Sequence, residues 1–162
     1  MKDTIQDLIG YWKGQRISAP KGNSDDAISQ FEAKNSVHFP TDMRAYFQGT
    51  NGMPAVGSGC DSNGFRFWPL DEVRSVPAVC GEKGVPLPEG SHLEQHFLFA
   101  DYFDWSWAYA IDLSGRDPDG QPVIHVGTLE PKTVARSFSQ FIELYLKDAS
   151  DLYVLSPPQQ KP

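Results

Sequence analysis

The sequence predicts an α+β domain, and three observations predict it. Apolar residues at helical spacing fill the first fifty positions. Short alternating strands bounded by turn residues follow, and an amphipathic helix with its own cap closes the chain. No internal repeat interrupts this order.

The elements can be justified in turn. Ile5, Leu8, Ile9 and Trp12 fall at i, i+3, i+4 and i+7, so a first helix is expected from Thr4, its cap, to about Lys13. Pro20-Lys21-Gly22-Asn23 reads as a loop. Ser24 caps a second helix with Asp25 and Asp26 in its first turn, where negative charge meets the positive end of the dipole. Pro40 disfavours helical geometry at Phe39, and Thr41 is expected to cap a third helix that Asn51-Gly52 ends. Phe65 to Trp68 reads as a strand stopped by Pro69, with a helical turn at Leu70 to Val73. The prolines and glycines around Cys80 make Arg74 to Gly90 a long irregular surface excursion. His96 to Ala100, Trp107 to Asp112 and Gln121 to Val126 are expected as an antiparallel meander. Ser137-Phe138-Ser139-Gln140 matches the capping box, and Phe138, Phe141, Ile142, Tyr145 and Leu146 supply a broad apolar stripe behind it.

Composition narrows the function classes. The chain has 162 residues, 40% of them hydrophobic and 12% aromatic, enough to pack a core without metal or disulfide. Its apolar runs are far shorter than the roughly 20 residues that cross a bilayer, and its first residues lead into an amphipathic helix, not a secretion signal. Cys60 and Cys80 have no redox or metal spacing, which suits a reducing compartment, so the cytoplasm is expected. The net charge is −7 and uneven: Glu89, Glu94, Asp101, Asp104, Asp112, Asp117 and Asp119 face only Arg116 between positions 89 and 119. Such a field repels nucleic acid and anionic lipid and speeds encounter with a basic protein, although negative charge also serves solubility alone.

Few side chains argue for catalysis. His92 and His96 have the spacing of two zinc ligands on a helix, but the residues around them read as loop and strand, with no third ligand in register. Asp117-Pro118-Asp119-Gly120 resembles part of a calcium loop without its remaining ligands. Gly57-Ser58-Gly59-Cys60 fails the nucleophile elbow because the second glycine is misplaced. Asp101 and Asp104 are a carboxylate pair in a chain with 21 acids, where proximity in sequence means little. No cofactor is expected.

What remains is a recognition surface. Asp101-Tyr102-Phe103-Asp104-Trp105-Ser106-Trp107 places four aromatics and two acids at a bend between strands. Aromatics at a protruding bend offer large contact area at low ordering cost, and acids complement a basic partner. The same aromatics can instead complete the core, and the sequence leaves both readings open.

Phe39-Pro40, Asn51-Gly52, Trp68-Pro69-Leu70-Asp71-Glu72, the pair of strands Phe99 to Asp112 and Ser137-Phe138-Ser139-Gln140-Phe141 follow one another in an order that resembles the SMI1/KNR4 (SUKH) family over residues 24–148. Phe39 stands where leucine is usual, and Met53 where a second glycine is common. A single domain of that fold is expected over residues 1–155, and the end from Ser156, Pro157-Pro158-Gln159-Gln160-Lys161-Pro162, reads as a flexible tail over 156–162. The resemblance implies a small binding protein, not an enzyme. In bacterial relatives such a protein neutralises a secreted toxin, nucleases among them. Partner contact is then expected at Asp101, Tyr102, Asp104, Trp105, Asp117 and Asp119, with no membrane or direct nucleic acid partner. A regulatory or scaffold role within the same family is the alternative, and a metal-dependent hydrolase built on the acidic cluster is the third reading.

Overall fold

The structure is a computed structural model that describes residues 2–54, 59–116, 120–127 and 130–153. It bears out the α+β class. Helices α1 (Lys2–Gly14), α2 (Asp25–Asn35) and α3 (Thr41–Gly49) precede the strands, and α5 (Phe138–Leu146) closes the fold. The strands are β1 (Phe65–Phe67), β2 (Arg74–Ser75), β3 (His96–Tyr102), β4 (Trp107–Asp112), β5 (Val123–Val126) and β6 (Lys132–Ala135). They form one antiparallel sheet in the order β1-β3-β4-β5-β6, with β2 also on β3.

Strand alternation divides the core in two. Phe65, Phe67, Phe97, Phe99, Tyr109 and Ile111 point to the face covered by α1, α2, α3 and α5. There Trp12, Ile28, Met43, Phe47, Phe138 and Phe141 meet them. Each such side chain stabilises the fold by roughly 1.5–3 kcal/mol when fully buried. A buried polar chain runs through this layer. Trp12 Nε1–H donates to the Tyr145 hydroxyl at 3.0 Å, and that hydroxyl donates to Asp61 at 2.5 Å. Asp61 also accepts the Asn63 and Phe65 N–H groups at 2.9 Å each, which turns the chain into β1.

The opposite face of the sheet presents Leu98, Ala108, Ala110 and Val126. Here the sequence reading of residues 74–90 needs correction. The segment is not an irregular surface excursion: it opens as β2 and continues as a helix, α4 (Val76–Lys83), whose Val76, Val79 and Cys80 are buried against those strands. Pro77 misled the reading, because it stands in the helix's first turn, where no intrahelical N–H bond is lost. Gly84 in the left-handed region (φ 67°) ends it.

Three further expectations differ in detail. Thr4 lies inside α1, which is already helical at Lys2. Thr41 is the first residue of α3 and Pro40 holds the cap position, its carbonyl accepting the Arg44 N–H at 2.9 Å. Asn51-Gly52 is not the end of α3, which stops at Gly49 with Thr50 as cap. Gly52 instead adopts φ 69° beneath the Trp68–Pro69 backbone, where an added Cβ would lie 2.6 Å from the Trp68 carbonyl carbon. Ser24 and Ser137 cap α2 and α5 as expected, and Gln140 accepts the Arg136 N–H at 2.7 Å. Strand β6 had no expectation, since Lys132-Thr133-Val134-Ala135 carries too few apolar residues to announce itself.

Candidate functional site

Strands β3 and β4 form a hairpin whose last pair is Tyr102 and Trp107. The four residues between them turn with Phe103, Asp104 and Trp105 all in the left-handed region, at φ 43°, 47° and 74°. None is glycine. Left-handed geometry costs an ordinary residue roughly 1–2 kcal/mol, so a run of three persists only where other contacts hold it.

Those contacts are visible. Asp101 is 5% exposed and directs its carboxylate inward. One oxygen accepts the Trp68 indole N–H at 2.5 Å and the other accepts the Trp105 N–H at 3.2 Å. Burial pushes the Asp101 carboxyl above its ordinary value, against these two bonds and the nearby Arg66 guanidinium, which pull it down. The Phe103 N–H donates to the Gly64 carbonyl at 2.8 Å, and the Ser106 N–H to the Tyr102 carbonyl at 2.9 Å. The Trp105 ring stacks on Trp68 with centroids 6.0 Å apart, and the Lys83 ammonium lies 5.0 Å from its centroid.

The turn therefore sorts its aromatics. Trp105 is half-buried and fixes the turn to the α4 side of the sheet. Tyr102 and Trp107 stack at 4.2 Å on the other side, and Tyr102 stands edge-on to Tyr153 at 5.6 Å. Trp107 Nε1–H donates to the Tyr109 hydroxyl at 2.8 Å, which in turn donates to the Leu152 carbonyl at 2.6 Å and holds the C-terminal 3-10 turn in place. The Tyr153 hydroxyl donates to Asp148. Burial, then the charges of Asp148 and Asp61, push the Tyr102 hydroxyl upward. Phe103 is left at the tip, 57% exposed, the one exposed large hydrophobic side chain among the described residues.

Of the six residues singled out from sequence, Asp101, Tyr102, Asp104 and Trp105 come together at this turn, and only Asp104 is exposed there. Asp101 and Trp105 act as its internal braces. Asp117 and Asp119 lie outside the described residues. A Cβ added at the flanking Gly115 would lie 3.1 Å from the His38 ring, and one added at Gly120 would lie 3.7 Å from Ser137 Cβ. Asp104 and Asp112 do not share a patch, because Asp112 pairs with His96 at the far end of the hairpin from Asp104, roughly 20 Å away at ~3.3 Å per residue. The acids nearer the turn include Asp148, which the sequence reading missed along with Tyr153. Neither carries a local signal, since chain folding alone brings residues 148–153 to residue 102.

Among the described residues no three His, Cys, Asp or Glu side chains are grouped so as to hold a metal ion. His92 is exposed in a loop while His96 opens β3, so their spacing does not place them on one helix. Cys80 is buried and burial pushes its thiol upward, away from the reactive thiolate. Ser58 lies outside the described residues. No helix among the described residues is long and apolar enough to cross a membrane.

Comparison with curated proteins finds none that matches the chain. A family model described as SMI1 / KNR4 family (SUKH-1) matches residues 22–144, from the loop before α2 into α5.

Proposed function

The chain belongs to the SMI1/KNR4 family (SUKH-1), and from that premise we propose that it is a protein-binding domain of the immunity type, neutralising a cognate toxin by docking through the β3–β4 turn. The observation that carries this reading is the run of three left-handed, non-glycine residues that leaves Phe103 exposed at the tip. Strained backbone concentrates at functional sites, and an exposed aromatic on a braced turn is a low-entropy anchor for an interface. Asp104 at the tip and Asp148 behind it supply charge complementary to a basic partner such as a nuclease with its substrate cleft. Tyr102, Trp107 and Tyr153 give the anchor a firm aromatic base.

The partner to test is a toxin domain encoded directly beside this chain. Affinity is measured by calorimetry for the whole chain and for Phe103→Ala and Asp104→Lys, with folding of each variant checked by thermal unfolding. Phe103→Ala is expected to weaken binding by ~30-fold or more, as loss of a ~2 kcal/mol anchor requires. Asp104→Lys is expected to weaken it further through slower association. Unchanged affinity in both folded variants rules out the turn as the docking surface, and no binding to any neighbouring toxin domain rules out the immunity role.

A further inference from the structure

We propose that the surface meeting the partner continues from the β3–β4 turn over the Asp61–Gly64 turn to Lys13 and Arg16, where the partner carries an acidic side chain. This extension rests on the docking reading above and gives the partner two poles, a basic one opposite Asp104 and an acidic one opposite Arg16.

Left-handed backbone marks this surface out. Among the described residues the non-glycine positions with positive φ are Arg16, Ser36, Phe103, Asp104, Trp105 and Asp148. All but Ser36, which ends α2, lie on segments bonded to the Asp61–Gly64 turn. Gln15, next to Arg16, accepts the Ser62 N–H at 2.8 Å and the Ser62 hydroxyl at 2.7 Å. Asn63 Nδ2–H donates to the Tyr11 hydroxyl at 3.2 Å and to Asp148 at 3.5 Å. The Gly64 carbonyl accepts the Phe103 N–H at 2.8 Å. Ser62 and Gly64 are at most ~7 Å apart along the chain, so one short turn ties the end of α1, the end of α5 and the hairpin tip together. Arg16 and Asp148 follow helices at a place that glycine ordinarily takes. Side chains kept there against the backbone preference, beside a strained tip, follow the pattern of functional surfaces.

Charge divides along this path. Arg16 lines two adjoining hollows of about 210 and 330 Å3, and among the described residues the only charged groups lining them are Arg16 in both and Lys13 in the larger. Neither cation belongs to an ion pair among the described residues, whereas Arg44, Arg66 and Arg74 are each held by carboxylates. Ile9 and Ile17 add a half-buried apolar wall, which suits the stem of an Asp or Glu side chain. A guanidinium and an ammonium with no acid beside them in the hollow select a carboxylate. On the hairpin side the exposed charges are Asp104, Asp148 and Asp151 against Lys147, so that pole selects a cation. Ser62 lies exposed between the two. A hairpin tip alone falls far short of the roughly 20–30 residues that a stable interface uses on each side, and the path from Phe103 across Ser62 to Arg16 extends it.

The experiment measures the affinity of Arg16→Gly, Arg16→Glu and Phe103→Ala for the toxin domain encoded beside this chain, and maps the complex of the unaltered chain by amide hydrogen exchange. Arg16→Gly puts glycine where the backbone is left-handed, so it is expected to melt no lower than the unaltered chain. It should nevertheless bind roughly tenfold more weakly, and Arg16→Glu about threefold more weakly again, because the reversed charge meets an acid. Exchange is expected to slow at residues 13–18 and 61–64 as well as at 102–106. A folded Arg16→Gly protein that binds as tightly as the unaltered chain, while Phe103→Ala binds weakly, overturns the extension and leaves the docking turn standing. Arg16→Glu binding as well as Arg16→Gly overturns the acidic pole, and exchange that slows at 102–106 alone overturns the extended surface. No binding to any neighbouring toxin domain overturns the extension together with the reading it rests on.

Discussion

The side-chain oxygen of Asn51 accepts the Leu70 N–H at 2.8 Å, and one residue further on Gly52 passes under the Trp68–Pro69 backbone. Two sequence motifs with fifteen residues between them are therefore one structural unit. Asn51 caps the start of the 3-10 turn at Leu70–Glu72, and the Met53 N–H reaches the Phe67 carbonyl at 2.8 Å to complete the join.

Gly52→Ala is accordingly expected to be among the most destabilising single changes in the chain. The left-handed φ alone costs about 1–3 kcal/mol for a residue with a side chain, and the new Cβ would meet backbone that cannot step aside. Asn51→Ala should cost less, about 1–2 kcal/mol for the lost cap. Urea unfolding checks both, through a lower midpoint at an unchanged slope. Equal midpoints for Gly52→Ala and the unaltered chain would contradict the interlock.

How much of this was legible beforehand follows from the range of each interaction. Apolar periodicity announced α1, α2, α3 and α5, because each buries one stripe and the stripe is written locally. It could not announce α4, where Val76, Val79 and Cys80 supply a three-residue face in a segment crowded with proline and glycine. The aromatic turn was legible as a cluster but not as a division of labour. Whether Trp105 braces and Phe103 protrudes depends on Trp68, Gly64 and Lys83, which arrive from three other places in the chain. Asn51-Gly52 reads as a helix stop in isolation. Its true role exists only once Trp68 lies above it.

The brace at Asp101 separates stability from contact. Asp101→Asn places an N–H2 group where one of two N–H donors, from Trp68 or Trp105, needs an acceptor, and should cost about 1–3 kcal/mol. Asp104→Gly relaxes a left-handed position and should leave stability equal or slightly higher. Thermal unfolding of the two variants checks the contrast. A more stable Asp101→Asn protein at neutral pH would mean that the cost of burying the charge outweighs its two bonds.

Two histidines set an expected pH response. Burial holds His96 and His125 below the ordinary 6.5, although Asp112 and Glu94 act to raise His96 while Arg116 opposes them, and Lys132 adds to the lowering at His125. A depressed imidazole binds its proton more readily in the unfolded chain, so this contribution is complete above pH 6.5 and is lost as pH falls through 6.5 toward the folded values. Asp101, raised by burial, contributes with the opposite sign. The melting temperature is expected to drop between pH 7.5 and 5.5, and the drop should shrink in the double variant His96→Gln and His125→Gln. An undiminished drop in that variant would place the sensitivity elsewhere.

Charge and anchor should act on different rate constants. The chain carries −7 overall, but Asp104 is the exposed acid of the turn, so steering of a basic partner runs through the general field and docking through Phe103. Raising salt from 0.1 M to 1 M shortens the Debye length from about 10 Å to about 3 Å and should slow association roughly tenfold or more. Phe103→Ala should instead speed dissociation, because a buried aromatic anchor is formed after encounter. Stopped-flow measurements with the cognate toxin domain at both salt concentrations resolve the two. An association rate indifferent to salt removes the electrostatic part of the mechanism while leaving the anchor, and a Phe103→Ala effect confined to association removes the anchor while leaving the field.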